Sequence, residues 1–226
     1  MEGTSRGVFV TGTDTGIGKT LSSGALLHAL RARGLRAAGM KPVASGCQRI
    51  DGAWRNEDAL ALQAAGEPGI AYADINPFAL EHPLAPELAA RDAGTEVALA
   101  PILAAHARLA AAVDALVVEG VGGWAAPLSA TLMQADLVRA LRLPVVLVVG
   151  LRLGCLNHAI LSARAIAADG CRLAGWIGSG VDPAMLRIDE NRALLAARLP
   201  APCLGWLPWQ AGPDPAALAG RLRLAS

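Results

Sequence analysis

Nine residues near the start of the chain, Gly12-Thr13-Asp14-Thr15-Gly16-Ile17-Gly18-Lys19-Thr20, constrain the fold more than any other feature. They fit the spacing G-x-x-x-x-G-K-[ST], follow an apolar strand-like run at residues 8–11, and open a helical pattern over 20–33. Glycines at those places let a backbone wrap closely around phosphate oxygens with its N–H groups turned inward. A helix beginning there adds partial positive charge. Lys19 is then placed for the β- and γ-phosphates of a nucleotide, and the Thr20 hydroxyl for Mg²⁺.

The rest of the chain supplies the scaffold such a loop needs. Strand-like runs at 37–43, 115–119, 145–150, 173–178 and 203–207 alternate with helical patterns at 57–65, 97–112, 132–141, 156–168, 183–198 and from Pro215 onward. Residues 66–91, rich in proline, read as a long loop. This alternation predicts a single α/β domain over residues 1–226, doubly wound, with a mostly parallel sheet and helices on both faces. Although 54% of the residues are hydrophobic, the longest apolar run, LPVVLVVGL, is far shorter than the about 20 residues of a membrane span and reads as a buried strand. The opening MEGTSRG has no apolar signal region, so no targeting peptide is expected. Lys and Arg number 20 against 19 Asp and Glu, a balance that gives no footing for nucleic acid. Four scattered cysteines (Cys47, Cys155, Cys171, Cys203) predict reduced thiols in a cytoplasmic protein.

Three further segments carry candidate chemistry. In Met40-Lys41-Pro42-Val43-Ala44-Ser45-Gly46, Lys41 ends a strand, where ligands of open α/β sheets gather, and it could stabilise a transferring phosphoryl group. In Glu119-Gly120-Val121-Gly122-Gly123-Trp124, a buried strand runs into a carboxylate and a glycine turn. Glu119 is the first choice for a Mg²⁺ ligand, Asp58 the second and Asp14 a third. In Arg152-Leu153-Gly154-Cys155-Leu156-Asn157-His158, a glycine turn opens another helix, whose free N–H groups form a second potential anion site.

Taken together, GTDTGIGKT, AGMKPVASG, RNEDALALQ, VVEGVGGWAAPLS and LPVVLVVGLRLGCLNHA resemble dethiobiotin synthetase, in order over residues 8–208. The resemblance implies an ATP-dependent reaction of carbon dioxide with 7,8-diaminononanoate. One amine forms a carbamate, the carbamate takes the γ-phosphate, and the second amine closes the ureido ring. It implies Thr20, Asp58 and Glu119 as metal positions, Lys19 and Lys41 as catalytic cations, and Ser45 at the ring-forming end of the substrate. It also implies a homodimer in which Gly154, Cys155, Leu156 and Asn157 of one subunit hold the substrate carboxylate of the other. Members often carry an acidic residue at the position of Gly16, an Asn-Asp pair at Ser179-Gly180 and an acidic residue at Gly212. The base is therefore expected to be read weakly by Ser179 and Gly180, or by backbone groups from Pro208 to Ala211. A rival, the partitioning ATPases that act as switches, usually has an extra lysine early in the loop, where this chain has Thr13 and Asp14.

Overall fold

The computed structural model describes residues 7–224; the start of MEGTSRG and the last two residues lie outside them. In chain order the elements are β1 Gly7–Gly12, α1 Lys19–Ala32, β2 Ala37–Met40, β3 Val43–Ala44, β4 Gln48–Ile50, β5 Ala53–Arg55, α2 Glu57–Ala65, α3 Tyr72–Ile75, β6 Phe78–Ala79 and α4 Pro86–Asp92. They continue as α5 Leu99–Ala112, β7 Ala115–Glu119, α6 Gln134–Leu141, β8 Val145–Leu151, α7 Cys155–Ala168, β9 Leu173–Gly180, α8 Ile188–Arg198, β10 Cys203–Leu207 and α9 Pro215–Leu218.

Six strands form one parallel sheet in the order β10-β9-β8-β1-β7-β2. The two-residue period of a strand sorts its side chains into two cores. In β8, Val145, Leu147, Val149 and Leu151 join Ile102, Leu109, Leu137 and Ala159 on one face, whereas Val146 and Val148 join Leu26, Leu27 and Leu62 on the other. Helices therefore cover both faces, and β8 is buried throughout because neither face meets water. The expected α/β class is what the structure shows. The chain leaves β1 toward β2 but later returns to place β8 on the other side of β1. The carboxyl end of β1 is thus the point where the winding reverses, the usual crevice for a ligand in such sheets.

The structure departs from the sequence reading in four places. The run 37–43 is not one strand: Pro42 has no N–H to give the ladder, and the Lys41 N–H turns away to the Ile75 carbonyl (2.7 Å). Residues 48–55 form an antiparallel hairpin, unforeseen in the sequence, around Asp51-Gly52, both at positive φ. The expected loop 66–91 holds α3, β6 and all but the last residue of α4, and β6 pairs with β3. Finally, α8 starts at Ile188 rather than at Pro183. The four cysteines are free thiols, and among the described residues no helix is long and apolar enough to cross a membrane.

Candidate active site

The phosphate-binding loop is tied down on all sides. Its N–H at Thr13 reaches the Val148 carbonyl (3.0 Å), and the Thr13 hydroxyl accepts from the Gly150 N–H (3.3 Å), so the loop is pinned to β8. Asp14 accepts from the Thr15 N–H (2.8 Å) and pairs with Arg152 (2.5 Å). The Thr15 hydrogen bond above all, with the charge and hydrogen bond of Arg152 working against burial, holds the Asp14 carboxyl below its usual range. Gly18 caps α1 at φ 84°, and a Cβ there would sit 2.3 Å from the Ser179 hydroxyl. Both the backbone conformation and the space therefore demand glycine.

Lys19, nearly buried, folds back to donate to the Asp14 carbonyl (2.7 Å). Burial above all, then the neighbouring Lys41 ammonium, pull Lys19 down to about 8, against the opposing charges of Glu119, Asp58 and Asp14.

Beneath the loop, residues from four distant segments converge. The Lys41 ammonium donates to Glu119 (2.6 Å), Asp58 (2.9 Å) and the Gly120 carbonyl (3.2 Å), so its three N–H groups are all in use. Burial works to strip its proton, but Glu119 and Asp58 together outweigh that and hold it above the ordinary lysine value. Burial likewise raises Asp58, and the Lys41 charge, followed by the bonds to Lys41 and Thr20 and the Lys19 charge, reverses this and leaves it below the usual carboxylate range. Thr20 Oγ1 lies 2.7 Å from Asp58 Oδ1 and 3.0 Å from Glu119 Oε1. One hydroxyl hydrogen cannot serve both carboxylates at once.

Glu119 is fully buried, yet its second oxygen, Oε2, meets no donor. Two carboxylates, a hydroxyl and an orphaned buried oxygen fit a hard cation. Among the described residues no group of three or more His, Cys, Asp or Glu gathers, whereas Mg²⁺ needs only one or two carboxylates beside phosphate and water.

Thr20, Lys41 and Asp58, with Glu119 buried behind them, border a cavity of about 630 Å³ whose lining also includes Thr15, Gly16, Ile17, Gly18, Lys19, Ser45 and Gly122. The Ser45 carbonyl accepts from Asn56 (3.3 Å), the residue that caps α2 just before Asp58. The hairpin β4–β5 spans the gap between them. Glu57 and the segment Pro83-Leu84-Ala85-Pro86 also line the cavity, and neither is a candidate site residue on the sequence alone. Pro86, first residue of α4 and preceded by an extended Ala85, is a helix-start signal that could have revealed that wall.

Other candidates lie elsewhere. Ser179 is buried against Gly18, and Gly180 is pressed on the backbone of Pro208 and Trp209, where a Cβ would come within 2.4 Å of the Trp209 nitrogen. Gly16 is exposed with open space above it, as is Gly212. Gly154, Cys155, Leu156 and Asn157 start α7 outside the cavity lining. There the Cys155 N–H is taken by the Arg152 carbonyl (3.0 Å) and its side chain is buried.

Comparisons with known proteins bear on the fold and the family. A family model described as an AAA domain matches residues 6–217. The signal recognition particle 54 kDa protein of Aeropyrum pernix K1, in complex with GDP, superposes with a TM-score of 0.56 at 13% identity, over 99% of this chain and 44% of that one. The receptor FtsY of Elizabethkingia anophelis, also with GDP, gives 0.55 at 14% identity, over 100% of this chain and 62% of that one. This chain thus spans less than two thirds of either structure, and the likeness concerns the fold alone. Two curated sequences stand much nearer. The ATP-dependent dethiobiotin synthetase BioD of Xanthomonas euvesicatoria pv. vesicatoria (strain 85-10) is 65% identical over 216 residues, 96% of each chain. Its namesake in Xylella fastidiosa (strain 9a5c) is 64% identical over 215 residues, 95% of each chain. With identity of this order along nearly the full length, and with a phosphate loop set over two carboxylates and a buried lysine, the chain belongs to the ATP-dependent dethiobiotin synthetase family.

Proposed function

We propose that this chain makes dethiobiotin from 7,8-diaminononanoate, carbon dioxide and ATP. The observation that carries the reading is the hydrogen-bonded group of Lys41, Asp58, Glu119 and Thr20 beside the phosphate loop, of which Lys41, Asp58 and Thr20 share one cavity with Ser45. One substrate amine loses a proton and bonds to carbon dioxide, giving a carbamate. A carbamate oxygen attacks the γ-phosphorus, and ADP leaves. The second amine attacks the carbamoyl carbon, a C–N bond forms, and phosphate departs with the anhydride oxygen.

Carbamate and triphosphate repel each other, so bringing them together needs cations and fixed positions. Lys19 offers its ammonium to the phosphates once it leaves the Asp14 carbonyl. Lys41 serves the anionic oxygens of the reacting end once Asp58 and Glu119 have another partner. The free hydroxyl of Ser45 orients the diamine. Thr20, Asp58 and Glu119 are the residues that would hold Mg²⁺, which when bound supplies charge neutralisation to the phosphates.

The carboxylate end of the substrate belongs, in this reading, to a second copy of the chain in a cytoplasmic homodimer. At the start of α7 the Asn157 N–H has no backbone partner among the described residues, and a carboxylate suits such a helix start. Leu153 beside them is 97% exposed, an apolar surface that a partner would cover. Formation of dethiobiotin that requires diaminononanoate, bicarbonate, nucleotide and Mg²⁺ together is the expected result of a reconstituted assay. Nucleotide hydrolysis indifferent to diaminononanoate would sink the reading in favour of a switch ATPase.

A further inference from the structure

The cavity has two unlike walls. The phosphate loop, Lys41 and Asp58 form a charged floor that holds water well. The rest of the lining is largely apolar and comes from separate segments, among them Leu84 and its proline neighbours Pro83 and Pro86, with Val121, Ala126 and Pro127. Leu84 is 41% exposed although it lines the cavity, so core packing does not account for it.

This wall is fixed in place. The ladder of β3 with β6 continues as hydrogen bonds from the Leu80 N–H to the Ala44 carbonyl (2.8 Å), from the Cys47 N–H to Leu80 (3.0 Å) and from the Gly46 N–H to His82 (3.1 Å). The Leu84 N–H closes a tight turn onto the same His82 carbonyl (2.8 Å). Flanking prolines narrow the backbone freedom of the turn further. Pro83 stands so close to Gly46 that a Cβ there would lie 3.2 Å from the proline ring, so the turn that carries Leu84 is anchored beside the Ser45-Gly46 segment of the cavity.

We infer that Leu84 is the residue that keeps water from the activated carbamate. This rests on the proposed reaction. The carbamic–phosphoric anhydride has two competitors for its carbonyl carbon. Attack by the second amine forms the C–N bond and expels phosphate. Attack by water forms a C–O bond, expels the same phosphate and leaves a carbamate that loses carbon dioxide, so one ATP is consumed and the diamine is regenerated. An apolar side chain over the reacting end lowers the local water population without slowing the amine, which is already bound. Leu84 thus governs coupling between ATP use and ring closure.

The test is the ratio of phosphate released to dethiobiotin formed, in the wild type and in Leu84→Ala, Leu84→Asn and Leu84→Met. The expected ratio is near one in the wild type and in Leu84→Met, and about twofold to tenfold higher in Leu84→Asn, with Leu84→Ala between. The excess phosphate must vanish when either diaminononanoate or bicarbonate is omitted. A purely structural role would lower both products together and leave the ratio alone; an unchanged ratio in Leu84→Asn, with unfolding temperatures equal to wild type, overturns the inference. Excess phosphate that persists without diaminononanoate overturns it as well, since the leak would then lie in nucleotide hydrolysis. Should the wild type itself form no dethiobiotin, the functional reading fails first, and that is visible before any variant is made.

Discussion

Two helices of this protein begin in the same way and meet different surroundings. α1 and α7 each have fourteen residues, each follows a central strand of the sheet, and each is capped by a left-handed glycine with no side-chain cap and no acid in its first turn. Gly18 has φ 84° and Gly154 has φ 96°. By backbone alone both are anion sites. The start of α1, however, is roofed by its own loop and carries Lys19 and Thr20 over two carboxylates. The start of α7 carries Leu153 and Asn157 into solvent. Backbone geometry therefore sets the sign of the ligand's charge, and the side chains arriving from elsewhere in the chain decide whether chemistry can follow.

The largest expected effect separates the two helices outright. Lys19→Ala should lower kcat on the order of 10²-fold or more, about 3 kcal/mol, because it removes charge stabilisation of the phosphoryl transfer. The KM for diaminononanoate should move little. A fall in kcat of less than about threefold in steady-state assays would mean that the start of α1 only binds and adds nothing to the chemical step.

The same lysine should also be visible in stability. Its folded value of about 8 lies below that of an unfolded lysine, so between pH 8 and about 10.5 the unfolded chain binds more protons. Stability of the metal-free, nucleotide-free protein should accordingly rise with pH across that window, by up to about 3 kcal/mol. Lys41 is shifted the other way; its contribution is complete below the ordinary lysine value and is lost only above it. Thermal unfolding from pH 7.5 to 10 should show the rise in the wild type and a flatter profile in Lys19→Met. Parallel profiles would remove Lys19 as the cause.

Glu119→Gln probes what the α1 site has and the α7 site lacks. It leaves Lys41, buried, with Asp58 as its one remaining anionic partner among the described residues. Breaking a buried pair of this kind costs about 3 kcal/mol when one charge is removed outright, and less for an amide of equal size that can still accept a hydrogen bond. The expected outcome is a loss of about 2 kcal/mol in denaturant unfolding together with a weaker Mg²⁺ dependence of activity. Unchanged stability and an unchanged Mg²⁺ titration would take Glu119 out of the site.

How much of this was legible in the sequence follows from where each interaction reaches. The loop from Gly12 to Thr20 is local: its glycines, lysine and threonine stand at fixed spacing, so strand, turn and helix could be read together. The continuous apolar run of β8 likewise identified a strand buried on both faces. Lys41 was recognisable as a strand-end cation, but its three acceptors were not, because Glu119 lies 78 residues away. The hairpin around Asp51-Gly52 had its signal in that dipeptide. The wall at residues 83–86 had almost none beyond Pro86: β6 is two residues long and exists because it pairs with β3.

The glycine caps allow a direct contrast. A Cβ on Gly154 meets nothing closer than 3.9 Å, so Gly154→Ala carries only the strain of a left-handed alanine, about 1 kcal/mol. Under the proposed dimer, this should raise the KM for diaminononanoate severalfold and leave that for ATP alone. Gly18→Ala adds a collision with the buried Ser179 hydroxyl and should abolish nucleotide binding in calorimetry. Equal effects of the two substitutions on ATP binding would break the comparison.

The smallest effect is expected at Ser179, which touches the α1 site from below. As a reader of the nucleobase, its hydroxyl would contribute one hydrogen bond, about 0.5–1.5 kcal/mol, or up to roughly tenfold in base preference. The side chain is instead only 2% exposed and its oxygen faces Gly18. From there it shapes the loop that holds phosphates, which every nucleoside triphosphate shares. Gly180 offers no side chain, and the backbone of Pro208 and Trp209 closes over it. Ser179→Ala should therefore shift the ratio of kcat/KM for ATP over CTP by less than about threefold, while any change in affinity falls equally on both nucleotides. The wild type itself should discriminate among ATP, GTP and CTP by no more than about a hundredfold, since two ordinary hydrogen bonds supply no more. A tenfold loss of ATP preference in Ser179→Ala would show that the hydroxyl turns outward to the base when nucleotide binds. A preference above about a thousandfold in the wild type, unchanged by the substitution, would place the reader in the backbone of residues 208–211 or in a second copy of the chain.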